Sequence, residues 1–167
     1  MRLFVWQFSL LAAVCCPAEM AQAATQVVPV QAKATKPLTL TSVQDLDLGT
    51  IVLAPGTWTG ATVSITRAGQ FSCANPNTTC TGLPKVATYT VSGSNNEVVK
   101  ITAPNVVLTN QSDPTKTLTL VVDNPGSVTL QNGGKKGTDF SLGGSISLSS
   151  ATAGGVYAGT FDVTVDY

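Results

Sequence analysis

Apolar and polar side chains alternate almost without a break along the C-terminal stretch Tyr157-Ala-Gly-Thr-Phe-Asp-Val-Thr-Val-Asp-Tyr167. Tyr157, Phe161, Val163, Val165 and Tyr167 fall on one face, and Ala158, Thr160, Asp162, Thr164 and Asp166 on the other. A period of two over this length predicts a strand with one buried and one wet face, which needs a neighbour on each flank. Further runs of strand character recur upstream, over 37–41, 43–53, 57–73 (one or two strands), 86–91, 98–102, 106–108, 117–122, 128–130 and 140–148. Leu46, Leu48 and Val52 are the inward positions of the second run, Val63 and Ile65 those of the third. Turn formers separate them, among them Pro55-Gly56, Ser92-Gly-Ser-Asn-Asn96, Asn124-Pro-Gly126 and Asn132-Gly-Gly134. No segment carries an apolar stripe of period 3.6 at helical length. Many short strands rich in Thr and Val predict an all-β sandwich or barrel.

The N-terminus reads differently. Met1 and Arg2 precede an apolar run over 3–16, Pro17 breaks it, and Ala21-Gln22-Ala23 has the small-x-small pattern read by signal peptidase. This predicts a secretory leader over 1–23, cleaved after Ala23. The run is too short for a membrane span, and no later segment reaches about 18 apolar residues. Residues 24–36 follow as an extended arm, with Val28, Val30, Ala32 and Ala34 alternating against Pro29, Gln31, Lys33 and Thr35. The arm is a candidate strand with one apolar face; Pro29 restricts it to an edge. A single domain over 37–167 completes the expected organisation.

Charge narrows the function. Only 11% of the residues are charged and the net charge is zero, so no basic face exists to hold a phosphate backbone. Weak self-repulsion suits dense self-association. The chain has no histidine, which removes Ser–His–Asp and Cys–His arrangements and argues against an enzyme. Asp162 and Asp166 lie roughly 13 Å apart on a strand's wet face, too far to share an ion. Asp45-Leu-Asp-Leu-Gly49 lacks the later ligands of a calcium loop. No catalytic, cofactor or metal site is expected. Cys73 and Cys80 are the cysteines left after cleavage, and in an exported chain they predict a disulfide around a Pro-containing loop. Trp58, Phe71, Tyr89 and Tyr157 are candidates for a carbohydrate platform, although aromatics total 6% and the core needs most of them.

Two stretches carry a family resemblance. Pro37-Leu-Thr-Leu-Thr41 followed by Gln44-Asp-Leu-Asp-Leu-Gly-Thr-Ile51 resembles the opening of the bacterial secreted family called domain of unknown function 4402. The close, Gly155-Val-Tyr-Ala-Gly-Thr-Phe-Asp-Val-Thr-Val-Asp-Tyr167, resembles that family's close. It is also similar to spore-coat-protein-U-type domains and to fimbrial subunits of chaperone–usher systems. Leu48-Gly49 stands where Phe-Gly is often seen, and the Cys73–Cys80 loop is an individual addition. The resemblance implies an immunoglobulin-like antiparallel sandwich that lacks one strand and is completed by the arm of another subunit.

The expected protein is a non-enzymatic exported subunit of a fimbria or surface coat, passing through the periplasm to the cell surface. Its partners would be other copies or related subunits, with a periplasmic chaperone and usher before assembly. The candidate donor strand is Val28, Val30, Ala32 and Ala34; the candidate acceptor edge is Tyr157, Phe161, Val163, Val165 and Tyr167. The alternative is a monomeric sandwich that holds a glycan or surface partner on the disulfide loop or on 133–138.

Overall fold

The computed structural model describes residues 29–131 and 136–167. The expected leader over 1–23, with Ala21 and Ala23, and the candidate donor residue Val28 lie outside the described residues. The chain divides into two units, Met1–Lys33 and Ala34–Tyr167. In the first, residues 29–33 are exposed and carry no regular secondary structure, Val30 being 91% exposed.

The second unit is all-β and antiparallel, with no helix among the described residues. Its strands are β1 (Thr39–Gln44), β2 (Thr50–Leu53), β3 (Ala61–Ile65), β4 (Phe71–Ser72), β5 (Thr78–Thr81), β6 (Ala87–Ser92) and β7 (Val98–Thr102). There follow β8 (Val106–Asn110), β9 (Thr117–Asp123), β10 (Ser127–Thr129), β11 (Thr138–Leu148), β12 (Tyr157–Ala158) and β13 (Thr164–Asp166). The largest sheet runs β1-β6-β11-β9-β8-β12, with β3 on β11 and β4 on β3. A second sheet is β10-β7-β13, and β2 and β5 form a ribbon of their own.

The spine is β11. Its even positions Phe140, Leu142, Gly144, Ile146 and Leu148 are all buried, as alternation requires of one inward face. Its neighbours change halfway. Thr138 to Leu142 pair with β6, whereas Gly144 to Leu148 pair with β3, and β9 joins along Gly143 to Ile146. The change falls on Gly143-Gly144. A Cβ on Gly143 would stand 2.3 Å from the Ile65 carbonyl oxygen and 2.6 Å from the Arg67 nitrogen, so only glycine lets the backbones approach this closely.

Two hydrophobic clusters follow from this division. One gathers Phe140 and Leu142 with Ala87, Val91, Val99, Ile101 and Leu130. The other gathers Ile146 and Leu148 with Ala61, Val63, Val106 and Leu120. Leu46, Val122 and Phe161 pack against both. Each fully buried aliphatic side chain contributes about 1.5–3 kcal/mol.

Three expectations change. The C-terminal stretch is two short strands: Tyr157–Ala158 pair with β8 and Thr164–Asp166 with β7. Alternation survives across the break, since Phe161, Val163 and Val165 are half-buried and Asp162, Thr164 and Asp166 exposed. Gly159 marks the crossing, where a Cβ would stand 2.9 Å from the Val107 carbonyl oxygen. The run 43–53 is broken between β1 and β2, because Gly49 turns with φ 74° and the β1 register shifts between Ser42 and Gln44. The loop between the cysteines contains the first half of β5, hidden in the sequence by its Thr-Thr-Cys-Thr composition.

Replacement of Gly143 by Ala is expected to cost about 3 kcal/mol, because the added methyl meets backbone that cannot yield. Gly154→Ala, whose Cβ meets nothing within 4 Å, should stay within about 0.5 kcal/mol. Urea unfolding midpoints of the two variants test the difference.

Candidate strand-acceptor groove

A groove of about 890 Å³ lies over the second cluster. Its floor is leucine and isoleucine from three neighbouring strands: Leu108 of β8, Leu118 and Leu120 of β9, Ile146 and Leu148 of β11. Leu120, Ile146 and Leu148 are buried, but Leu108 and Leu118 remain half-exposed although they face inward. One wall is the first part of the chain, from Leu46 and Leu48 to Ile51 and Leu53 of β2. A further part of the lining is the last part of the chain, from β12 to Phe161.

Among the described residues, both walls are strands with a vacant edge: β2 is hydrogen-bonded to β5 alone, and β12 to β8 alone. An unpaired strand edge is a row of amide and carbonyl groups that readily takes another strand. Apolar floor and vacant edges therefore coincide.

The end of the groove is tied off by side chains. The Trp58 amide donates to Ser150 Oγ at 3.2 Å, and the Ser150 amide and hydroxyl both donate to the Trp58 carbonyl. The indole Nε1–H donates to the Ala54 carbonyl at 2.9 Å. Beyond Ser150, residues 152–156 line the groove and are held by Asn110, only 1% exposed. Its Nδ2 donates to the Gly154 carbonyl at 3.1 Å, and its Oδ1 accepts from the Ser112 and Asp113 amides. The Tyr157 hydroxyl donates to the Ala153 carbonyl at 2.9 Å.

The candidate acceptor residues divide between places. Tyr157 and Phe161 line the groove. Val163 and Val165 pack against the first cluster. The Tyr167 hydroxyl accepts from the Ser94 amide at 2.8 Å and donates to the Lys36 carbonyl at 2.5 Å, while the Lys36 amide donates to Ser94 Oγ at 2.7 Å. Of the candidate donor residues, Val30, Ala32 and Ala34 are exposed. Cys73 and Cys80 form the expected disulfide and pack against the second cluster.

The four aromatics do not make a platform. Trp58 and Phe71 pack on the second cluster, Tyr89 stacks on Phe140 with centroids 5.6 Å apart, and Tyr157 serves the groove wall. Burial holds the Tyr89 hydroxyl above its ordinary pKa, and hydrogen bonds from Thr115 hold the Asp113 carboxyl below its own; neither group lines the groove.

Sequence reasoning missed the floor and the 152–156 wall. Leucine at alternate positions, Leu46-Asp-Leu48 and Leu118-Thr-Leu120, was the one signal in the sequence, and Leu38-Thr-Leu40, which packs on the first cluster, shares it. The family described as Domain of unknown function (DUF4402) matches residues 38–167, all thirteen strands included. No curated protein and no solved structure matches the chain.

Asn110→Ala would leave the amides of Ser112 and Asp113 and the Gly154 carbonyl without their partner. The expected loss is about 2–3 kcal/mol, with faster amide exchange at Ser112 and Asp113 as the local readout.

Proposed function

We propose that this chain, which belongs to the DUF4402 family, is an exported structural subunit that polymerises by strand donation. The arm of one copy, through Val28, Val30, Ala32 and Ala34, fills the groove of the next. The observation that carries the reading is the leucine-floored groove lined by two strands that, among the described residues, each lack a partner on one edge. An inserted strand would pair with both edges and cover the half-exposed Leu108 and Leu118. Burying Val28 and Val30 would contribute on the order of 3–5 kcal/mol, and each new backbone hydrogen bond roughly 1 kcal/mol net.

The root of the arm favours donation to another copy over self-filling. Lys36 is fastened to Tyr167 and Ser94, and β1 then carries the chain about 17 Å towards Leu46, where the groove wall begins. The twelve arm residues before Lys36 span at most roughly 40 Å. An arm folding back along β1 would spend much of that length beside it. Directed outwards, the same arm offers all four to a neighbour. Before assembly, a periplasmic chaperone would cover the groove.

A second reading uses the same cavity. Its volume falls within the roughly 300–1,000 Å³ of small-molecule clefts, as in a monomeric binding module. Val30→Asp, or deletion of 24–36, separates the two. Protein purified from the periplasm without denaturant is expected to form ladders or filaments by gel filtration and negative-stain microscopy, and either change should leave folded monomer. Polymers that persist in both variants would exclude the arm as donor; a wild-type protein that is itself a sharp, stable monomer would favour the binding module.

A further inference from the structure

We propose that the Cys73–Cys80 disulfide gates the groove, so that a strand is accepted only when both cysteines are oxidised. The proposal rests on reading the groove as a strand acceptor and adds its regulation.

β2 is the weaker wall: among the described residues it pairs only with β5, and a two-stranded ribbon is marginal by itself in water. Cys80 lies on β5 directly across the ladder from Ile51, a groove residue. Cys73 follows β4, which is paired to β3 and through it to the spine β11. No ladder joins β5 to β4 among the described residues. The disulfide spans that seam, with Cα atoms 6.2 Å apart and a sequence separation of 7.

The other ties hold the ribbon at its ends. Asp47 and Lys85 exchange backbone hydrogen bonds at one end, and the Ala54 amide donates to the Asn77 carbonyl at the other. The middle, where Ile51 meets Cys80, has the disulfide and the apolar packing beneath it. In the dithiol form the ribbon can open locally while the main sheet keeps its core. An incoming strand must pair with both walls at once, so a loosened β2 costs it one whole ladder.

Closure proceeds by thiol–disulfide exchange with an oxidised protein disulfide. One cysteine thiolate attacks that disulfide and expels one oxidant thiolate, leaving a mixed disulfide; the second cysteine thiolate attacks the first cysteine's Sγ, forming the Sγ–Sγ bond and expelling the oxidant's other thiolate. The oxidant leaves as a dithiol, having taken up two electrons and the two thiol protons. Strand acceptance is thereby confined to an oxidising compartment.

The test uses the exported protein carrying Val30→Asp, which keeps it from occupying neighbouring grooves, in oxidised form and after dithiothreitol. A fluorescent peptide of residues 24–36 is titrated into each by anisotropy, with amide exchange followed in parallel. The oxidised form should bind, and the reduced form should bind about ten- to a hundredfold more weakly, with protection lost in β2 and β5 only. The double variant Cys73→Ala/Cys80→Ala should match the reduced form without reductant. Equal binding by both forms overturns the gate and leaves the strand acceptor standing. No binding by either form overturns the strand acceptor, and the gate with it. Loss of protection through β6, β7 and β11 on reduction also overturns the gate, since the disulfide would then hold the whole fold.

Discussion

The fold depends on one close approach of backbone to backbone, at Gly143-Gly144. There the spine strand passes from one partner to another while keeping a single face inward. Without a side chain at Gly143, the end of β3 reaches the spine at a distance no Cβ would permit. Both hydrophobic clusters take residues from this strand, so the crossing also decides how the interior is shared. Within the largest sheet, β6, β9 and β3 pair with β11, and β1, β8 and β4 pair with those in turn.

That arrangement accounts for the groove. Strands near the spine have their ladders filled on both sides, but the first and last parts of the chain are attached at the periphery. Among the described residues, β2 and β12 each bring one vacant edge, with the floor supplied by β8, β9 and β11. Leu108 and Leu118 of that floor face inward and are half-exposed.

Much of the fold was legible because alternation is a local property. The run 98–102 coincides with β7, and 117–122 with all but the last residue of β9. The disulfide was legible from two cysteines in a chain expected to be exported. The C-terminal stretch misled in one respect: its alternation is unbroken, but a strand that changes sheets keeps its facing while losing its partner. β5 was hidden because Thr-Thr-Cys-Thr has no apolar period. The groove was hidden for another reason. Its floor and walls come from 46–53, 108–120 and 146–161, and only the topology places them side by side.

The tyrosine at the end of β13 has a mechanical consequence. Its phenol bonds the Lys36 carbonyl and the Ser94 amide, immediately before β1 begins and after β6 ends. Tension entering through the residues before Lys36 does not reach β1 alone. Part passes through the phenol into β13 and so to the β10-β7-β13 sheet, while the rest loads the β1–β6 ladder lengthwise. Pulled along its axis, that ladder shares the force among its rungs instead of surrendering them one by one. The two sheets that contribute to the first cluster are thus tied to each other and to the root of the arm through one phenol.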